Sequence, residues 1–184
     1  MPHGLVDKKI PGIGATTLEI NSKRNSIIVF PTKALAYSKH SKHPNTLYVG
    51  SEIKGEKEKV TNQQIEEYLA KDGYKKLLVV ADSLGRLLGI IGKNYKDYFL
   101  MIDEIDVLQT DNNFRPQLEN VIDYYLMFPL KNRCMVTATM KEFINPLLKK
   151  ECKFSITWIY NARRDVKLLH TNNTTQTVIE EIIS

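Results

Sequence analysis

The chain is 184 residues long with 42% hydrophobic and 26% charged residues, a composition that fits one globular domain and excludes the fibrous and disordered classes. Its 26 Lys and Arg against 21 Asp and Glu leave a net charge of +5, compatible with a polyanionic partner yet modest for a dedicated nucleic-acid binder. No stretch is apolar for the length a bilayer demands, no apolar leader core follows the polar start containing Lys8 and Lys9, and the 2 cysteines, Cys134 and Cys152, stand in no zinc or redox spacing, so a reducing, cytoplasmic setting without a membrane is expected.

In chain order, short β-branched and continuous apolar runs predict strands over 26–30, 46–49, 77–81, 98–102, 134–137 and 154–158. Segments with helical spacing fall between them at 17–22, 32–40, 62–72, 83–91, 114–127 and 141–148. Thr61 with Gln64 reads as a helix start and Asp72-Gly73 as its stop, while the alternating charges of 54–59 read as a solvated loop. Past 158 come an apolar run at 166–169, a polar stretch at 171–176 and an apolar-periodic helix at 178–183. Strands alternating with helices imply a doubly wound α/β domain with a mostly parallel sheet and ligands at the carboxyl ends of its strands. Residues 1–170 are read as that domain, and 171–184 as a C-terminal helix or the start of a linker.

The strongest chemical signal is the apolar run 100–102 ending in Asp103, Glu104 and Asp106. Carboxylates at the end of a parallel strand suit a nucleotide-bound Mg²⁺, which takes oxygen ligands and keeps much of its water; Asp103 fits that role. Glu104 then stands where a carboxylate can orient, or take a proton from, the water attacking a terminal phosphate. The plainer reading is an acidic helix cap after a core strand. A second signal is Gly12-Ile13-Gly14-Ala15-Thr16-Thr17, where glycines let backbone N–H groups turn toward an anion and the hydroxyls stand where a phosphate loop places a magnesium ligand. A third is Thr137-Ala138-Thr139, by itself only a strand-to-helix turn. His40 and His43 with Lys39 and Lys42 read as a solvated basic patch, Tyr124, Tyr125 and Trp158 as core, and Arg163 and Arg164 as surface or DNA-facing charge.

From Gly12 to Met140 these pieces resemble, in order and spacing, the first RecA-like domain of superfamily-two helicases of the DEAD-box and DExH types. Residues 12–16 resemble the phosphate loop, Pro31-Thr32-Lys33-Ala34-Leu35 the "PT-x-x-L" motif, residues 81–87 the "TPGRL" segment, Asp103-Glu104-Ile105-Asp106 the DEAD motif and Thr137-Ala138-Thr139 the "SAT" motif. The resemblance implies a three-layer P-loop NTPase fold and ATP with Mg²⁺ as ligands. Phosphates would be bound by Gly12, Ile13, Gly14, Ala15, Thr16 and Thr17, with Thr16 and Asp103 on the metal and Glu104 as the catalytic carboxylate that orients the attacking water or takes its proton. It further implies nucleic acid, DNA or RNA, contacted by Pro31, Thr32, Lys33, Gly85 and Arg86, and coupling of hydrolysis to domain movement by Thr137 and Thr139 with Asp106 as their hydrogen-bond partner. A second RecA-like domain is expected in the full-length chain. Without the resemblance, Thr32 and Ser83 also read as helix caps, and Lys33 and Arg86 as solvated.

One departure from the family pattern is chemical. The family's loop reads Gly-Lys-Thr, and here Ala15 stands at the lysine position while Lys9 stands at the first glycine. That lysine carries positive charge to the β- and γ-phosphates. Two readings follow: Lys8, Lys9 or another lysine reaches the phosphates, or the domain has lost turnover and serves as a nucleic-acid-binding or protein-docking module. A packaging or DNA-translocating ATPase is a third reading, opposed by the "TPGRL"-like and "SAT"-like segments.

Overall fold

The computed structural model describes residues 1–55, 58–107, 119–140 and 145–157. Seven parallel strands form one sheet: β1 (Gly4–Asp7), β2 (Ser26–Phe30), β3 (Leu47–Val49), β4 (Lys76–Val80), β5 (Phe99–Asp103), β6 (Arg133–Thr137) and β7 (Lys153–Ser155), in the order β3-β4-β2-β5-β6-β1-β7. Because all run the same way, their carboxyl ends line one rim. Every residue of β2, β4, β5 and β6 is buried, which is why these strands are continuous apolar runs rather than alternating ones.

Alternate positions feed two cores. Leu5, Ile27, Val29, Leu77, Val79, Leu100, Ile102 and Met135 share one with α3 (Asn62–Ala70), α4 (Leu84–Ile91) and α5 (Glu119–Met127), to which they oppose Ile65, Leu84, Leu87, Val121 and Tyr125. Val6, Ile28, Phe30, Leu78, Val80, Met101 and Val136 face the opposite way, onto Ala15 and Ile20 of α1 (Ala15–Ile20) and Ala36 of α2 (Lys33–Lys42). The result is the expected three-layer α/β sandwich.

The N-terminal run expected to be merely polar contains a strand. Gly4–Asp7 enters between β6 and β7, with Val6 opposite both Val136 and Phe154. Gly4 has φ +105, and a Cβ there would lie 2.3 Å from the Cys152 carbonyl oxygen, so this residue permits the close approach of the chain before β7. Helix α1 starts at Ala15 rather than at 17, with Gly14 at φ 88 before it. The helix expected over 141–148 is absent from its described part: 145–147 are irregular and Leu148–Lys150 make one 3-10 turn, since Pro146 supplies no N–H and crowds the preceding turn. Thr61 forms a full capping box with Gln64 and Thr32 caps α2, whereas Ser83 makes no capping bond from its side chain. Residues 108–118, 141–144 and 158–184 lie outside the described set, and with them Trp158, Arg163, Arg164 and the tail elements expected past 158.

Two buried ionic groups brace the sandwich away from the rim. Glu19, fully buried, accepts from Arg24 and from Ser26 Oγ at 2.6 Å, and Lys76 Nζ donates to the Glu19 carbonyl at 2.8 Å and to Ser26 Oγ at 2.9 Å. Burial alone would raise the Glu19 pKa, but the Arg24 and Ser26 hydrogen bonds prevail and hold it near 2. Arg133 pairs with Glu151 and donates to the carbonyls of Leu126 and Phe128, closing the end of α5.

Candidate functional site

Asp103 is the last residue of β5, and it organises a cluster on the rim. Its Oδ2 accepts from Thr16 Oγ1 at 2.5 Å, and its Oδ1 accepts from the Glu104 N–H at 3.1 Å and from Lys8 Nζ at 3.4 Å. Lys8 Nζ also donates to Glu104 Oε1 at 2.7 Å. The Lys8 and Asp103 side chains are 5% and 6% exposed, against 29% for Glu104, so the second carboxylate is the one open to solvent.

Three separate parts of the chain meet here. β1 delivers Lys8, whose N–H donates to the Thr137 carbonyl at 2.8 Å; α1 delivers Thr16; β5 delivers the acids. Strands β1 and β5 are not neighbours, because β6 lies between them, so the long lysine side chain bridges the end of an intervening strand. Burial lowers the Lys8 pKa, but the charge of Asp103 and the hydrogen bond to Glu104 more than reverse this, and the net shift is upward from 10.5. Lys8 is therefore a fixed ammonium at neutral pH.

Among the described residues, the non-glycines with positive φ are Lys9 at 57 and Glu104 at 53, both on this rim. A left-handed backbone disfavours ordinary side chains, and such strain collects at sites where geometry is over-determined. Lys9, at the position of the family pattern's first glycine, adopts the conformation a glycine would adopt there. Its side chain points away from the acids and pairs with Asp7 at 2.6 Å.

The remaining loop residues surround the same point. Gly12 and Gly14 are exposed, with φ 77 and 88, and a Cβ on either would meet nothing within 4 Å. Ala15 and Thr16 are buried, Ile13 and Thr17 partly so. Thr16 and Asp103 present a hydroxyl and a carboxylate side by side, an all-oxygen pair suited to a Mg²⁺ that takes its other ligands from water and phosphate. Among the described residues no three His, Cys, Asp or Glu side chains cluster where they could hold a metal ion by themselves.

Beside the cluster, Asp106 accepts from Thr137 Oγ1 and from Thr139 Oγ1, and the Thr139 N–H donates to Thr137 Oγ1 at 3.1 Å. Burial opposes ionisation of Asp106, yet these hydroxyls win and lower its pKa below 3.8. The link ties the turn after β5 to the end of β6.

A groove of about 1060 Å³ opens at the other half of the rim, where β2 and β4 end. Thr32, Lys33, Tyr37, Lys59, Asp82 and Arg86 are among its lining residues, and Lys8, Thr16, Asp103 and Glu104 are not. Of the residues expected to touch nucleic acid, Thr32, Lys33 and Arg86 are thus brought together. Pro31 is buried and does not line the groove. Gly85 does not line the groove either, and a Cβ there would lie 2.6 Å from the Tyr124 hydroxyl. Arg86, for which solvation was the alternative reading, is partly buried, with Nη1 donating to the Val60 carbonyl at 3.1 Å and Nη2 buried without a hydrogen-bond partner. His40, read as solvated, bonds Thr46 Oγ1 at 3.0 Å and packs by Tyr37 and Tyr48. Tyr125 is core, as its spacing suggested.

Sequence reasoning named every member of the Asp103 cluster except that it could not choose among lysines. The signal was the position of Lys8, directly after a strand, and it was invisible while β1 was read as polar.

Among the described residues no helix is long and apolar enough to cross a membrane. No curated protein matches the chain. The sequence model of the DEAD/DEAH box helicase family does match it, over residues 10–147. That span holds the glycine loop, the rim groove and the acidic strand end within an all-parallel three-layer sheet, and the chain belongs to the DEAD/DEAH box helicase family, as a RecA-like domain of superfamily two.

Proposed function

We propose that this domain binds ATP with Mg²⁺ at the Asp103 cluster and uses it while holding a nucleic-acid strand along the Lys33 and Arg86 groove. The observation that carries the reading is the single buried carboxylate of Asp103, shared between the Thr16 hydroxyl and a lysine, with Glu104 directly beside it. Thr16 and Asp103 would hold the metal, which when bound neutralises phosphate charge. Backbone amides of residues 12–17 face the phosphates and fix the reacting end in place. Glu104, the more exposed acid, orients the attacking water and takes its proton. Thr137 and Thr139 carry a change at the acids to the neighbouring strand through Asp106. Groove contacts are to the backbone of the strand, so they position it without reading sequence. A second RecA-like domain in the natural protein completes the enzyme.

Ala15 supports a second reading, a domain that keeps the fold for docking. Titration with Mg²⁺ and ATP separates the two, as does Glu104→Gln in the natural protein with single-stranded DNA and RNA supplied in turn. The enzyme reading expects the variant to retain ATP binding and lose at least about 100-fold in hydrolysis, the lower end of the range for a positioned acid or base. Undiminished turnover in Glu104→Gln would overturn the assignment of the catalytic base, and no ATP binding by the unaltered protein would overturn the enzyme reading.

A further inference from the structure

A triphosphate brings several negative charges to a rim that already carries Asp103 and Glu104, and Ala15 contributes none of the compensating charge. A bound divalent cation offsets part of this, and the protein must supply the rest. Among the described residues the ion pairs made by Asp103 and Glu104 both go to Lys8. The other lysine of the loop, Lys9, is 58% exposed and turned onto Asp7.

From this placement, and resting on the ATP-binding reading above, we infer that Lys8 is the phosphate-binding lysine of this domain, supplied from the end of β1 instead of from the turn that opens α1. Three features support it. Lys8 Nζ and Thr16 Oγ1 sit on the two oxygens of one carboxylate, so the ammonium lies next to the hydroxyl that belongs to the metal and phosphate site. The ammonium is buried at 5% exposure, where a charge acts through less solvent than it would on the surface. Its backbone is pinned by the N–H bond to Thr137 and by the left-handed turn at Lys9, which sends the two consecutive lysines to opposite destinations.

The same arrangement describes an exchange. Without nucleotide, Lys8 neutralises the two acids. With nucleotide bound, Thr16 and Asp103 would hold its divalent cation, and the Lys8 ammonium would give up its share of that carboxylate for the β- and γ-phosphates. Lys8 is then a switchable counter-ion whose partner depends on the ligand.

Two measurements test the assignment. In calorimetric titration with Mg²⁺, Lys8→Met, which keeps most of the buried stem, is expected to weaken ATP binding about 10- to 100-fold, the loss of a charge-assisted contact, while Lys9→Ala changes it by less than about 3-fold. The loss should be larger for ATP than for AMP, which a purely structural role would not produce. Because Lys8→Met removes a cation from two acids and its fold needs checking by circular dichroism, the unaltered protein is also labelled with adenosine triphosphopyridoxal, reduced with borohydride and mapped by mass spectrometry. Label on Lys8 supports the inference. Label on Lys9 or another lysine, or ATP affinity unchanged in a folded Lys8→Met protein, overturns it while leaving the ATP-binding reading intact. Failure of the unaltered protein to bind ATP overturns both.

Discussion

Gly4→Ala is expected to be among the most damaging single-methyl additions in this fold, although Gly4 lies at the start of a short strand. The new Cβ would stand 2.3 Å from the Cys152 carbonyl oxygen, the acceptor of the Leu5 N–H at 2.7 Å, so relief requires moving backbone rather than turning a side chain. An alanine held at positive φ costs about 1–2 kcal/mol, the overpacking about 1–3 kcal/mol more, and a weakened Leu5 bond on the order of 1 kcal/mol. A total near 4 kcal/mol is a large part of the roughly 5–15 kcal/mol that holds a domain together. Gly12→Ala supplies the control: its φ of 77 gives the same kind of backbone strain, but its Cβ meets nothing within 4 Å. Urea unfolding followed by circular dichroism should therefore show Gly4→Ala at least about 2 kcal/mol less stable than Gly12→Ala, the difference reporting the clash together with the weakened Leu5 bond. Equal stabilities would refute the argument that the chain before β7 is packed against β1 at this point.

Acid stability should depend on Glu19. Its folded pKa of about 2 lies below the ordinary 4.5, so the stabilisation is full above 4.5 and is lost as pH falls toward 2. That shift corresponds to roughly 3 kcal/mol, and the stability gap between the unaltered protein and Glu19→Gln should shrink over this window; a gap that stays constant from pH 5 to pH 2.5 would contradict it. Glu151→Ala should cost about 3 kcal/mol by leaving the 11%-exposed Arg133 guanidinium without its counter-ion, read as a lower urea midpoint. A midpoint unchanged by that substitution would mean that the carbonyls of α5 suffice for Arg133.

The buried strands were legible because a strand covered on both faces leaves a continuous apolar run. β2 was read to the residue, and β4, β5 and β6 to within one or two. β1 was not legible: four residues, opened by a glycine and closed by an aspartate, show no run long enough to count, and it is a strand only because β6 and β7 flank it. The misreading hid the end of β1, and with it the reason to choose Lys8 over Lys9. The bond from Thr137 and Thr139 to Asp106 was expected from the family resemblance and is present, since the acid and hydroxyls leave adjacent strands at the same rim. Gly85 was assigned by resemblance to the nucleic acid, and nothing in the sequence could show that Tyr124, 39 positions later, would need the space its missing side chain leaves.

The intervening position of β6 also makes the cluster a report on assembly. Lys8 and Asp103 are 95 residues apart in the chain, one directly after β1 and the other at the end of β5, strands that do not bond each other. Their meeting requires β5 against β6 in the register that sets Asp103 beside Val136, and β1 against β6 in the register that sets Asp7 beside Thr137. A slip of one residue in either pairing would turn the strand's side chains to the wrong face. A partly folded species that lacks either pairing therefore lacks the joined cation and acids, and the cluster comes into being only once both long-range pairings have closed.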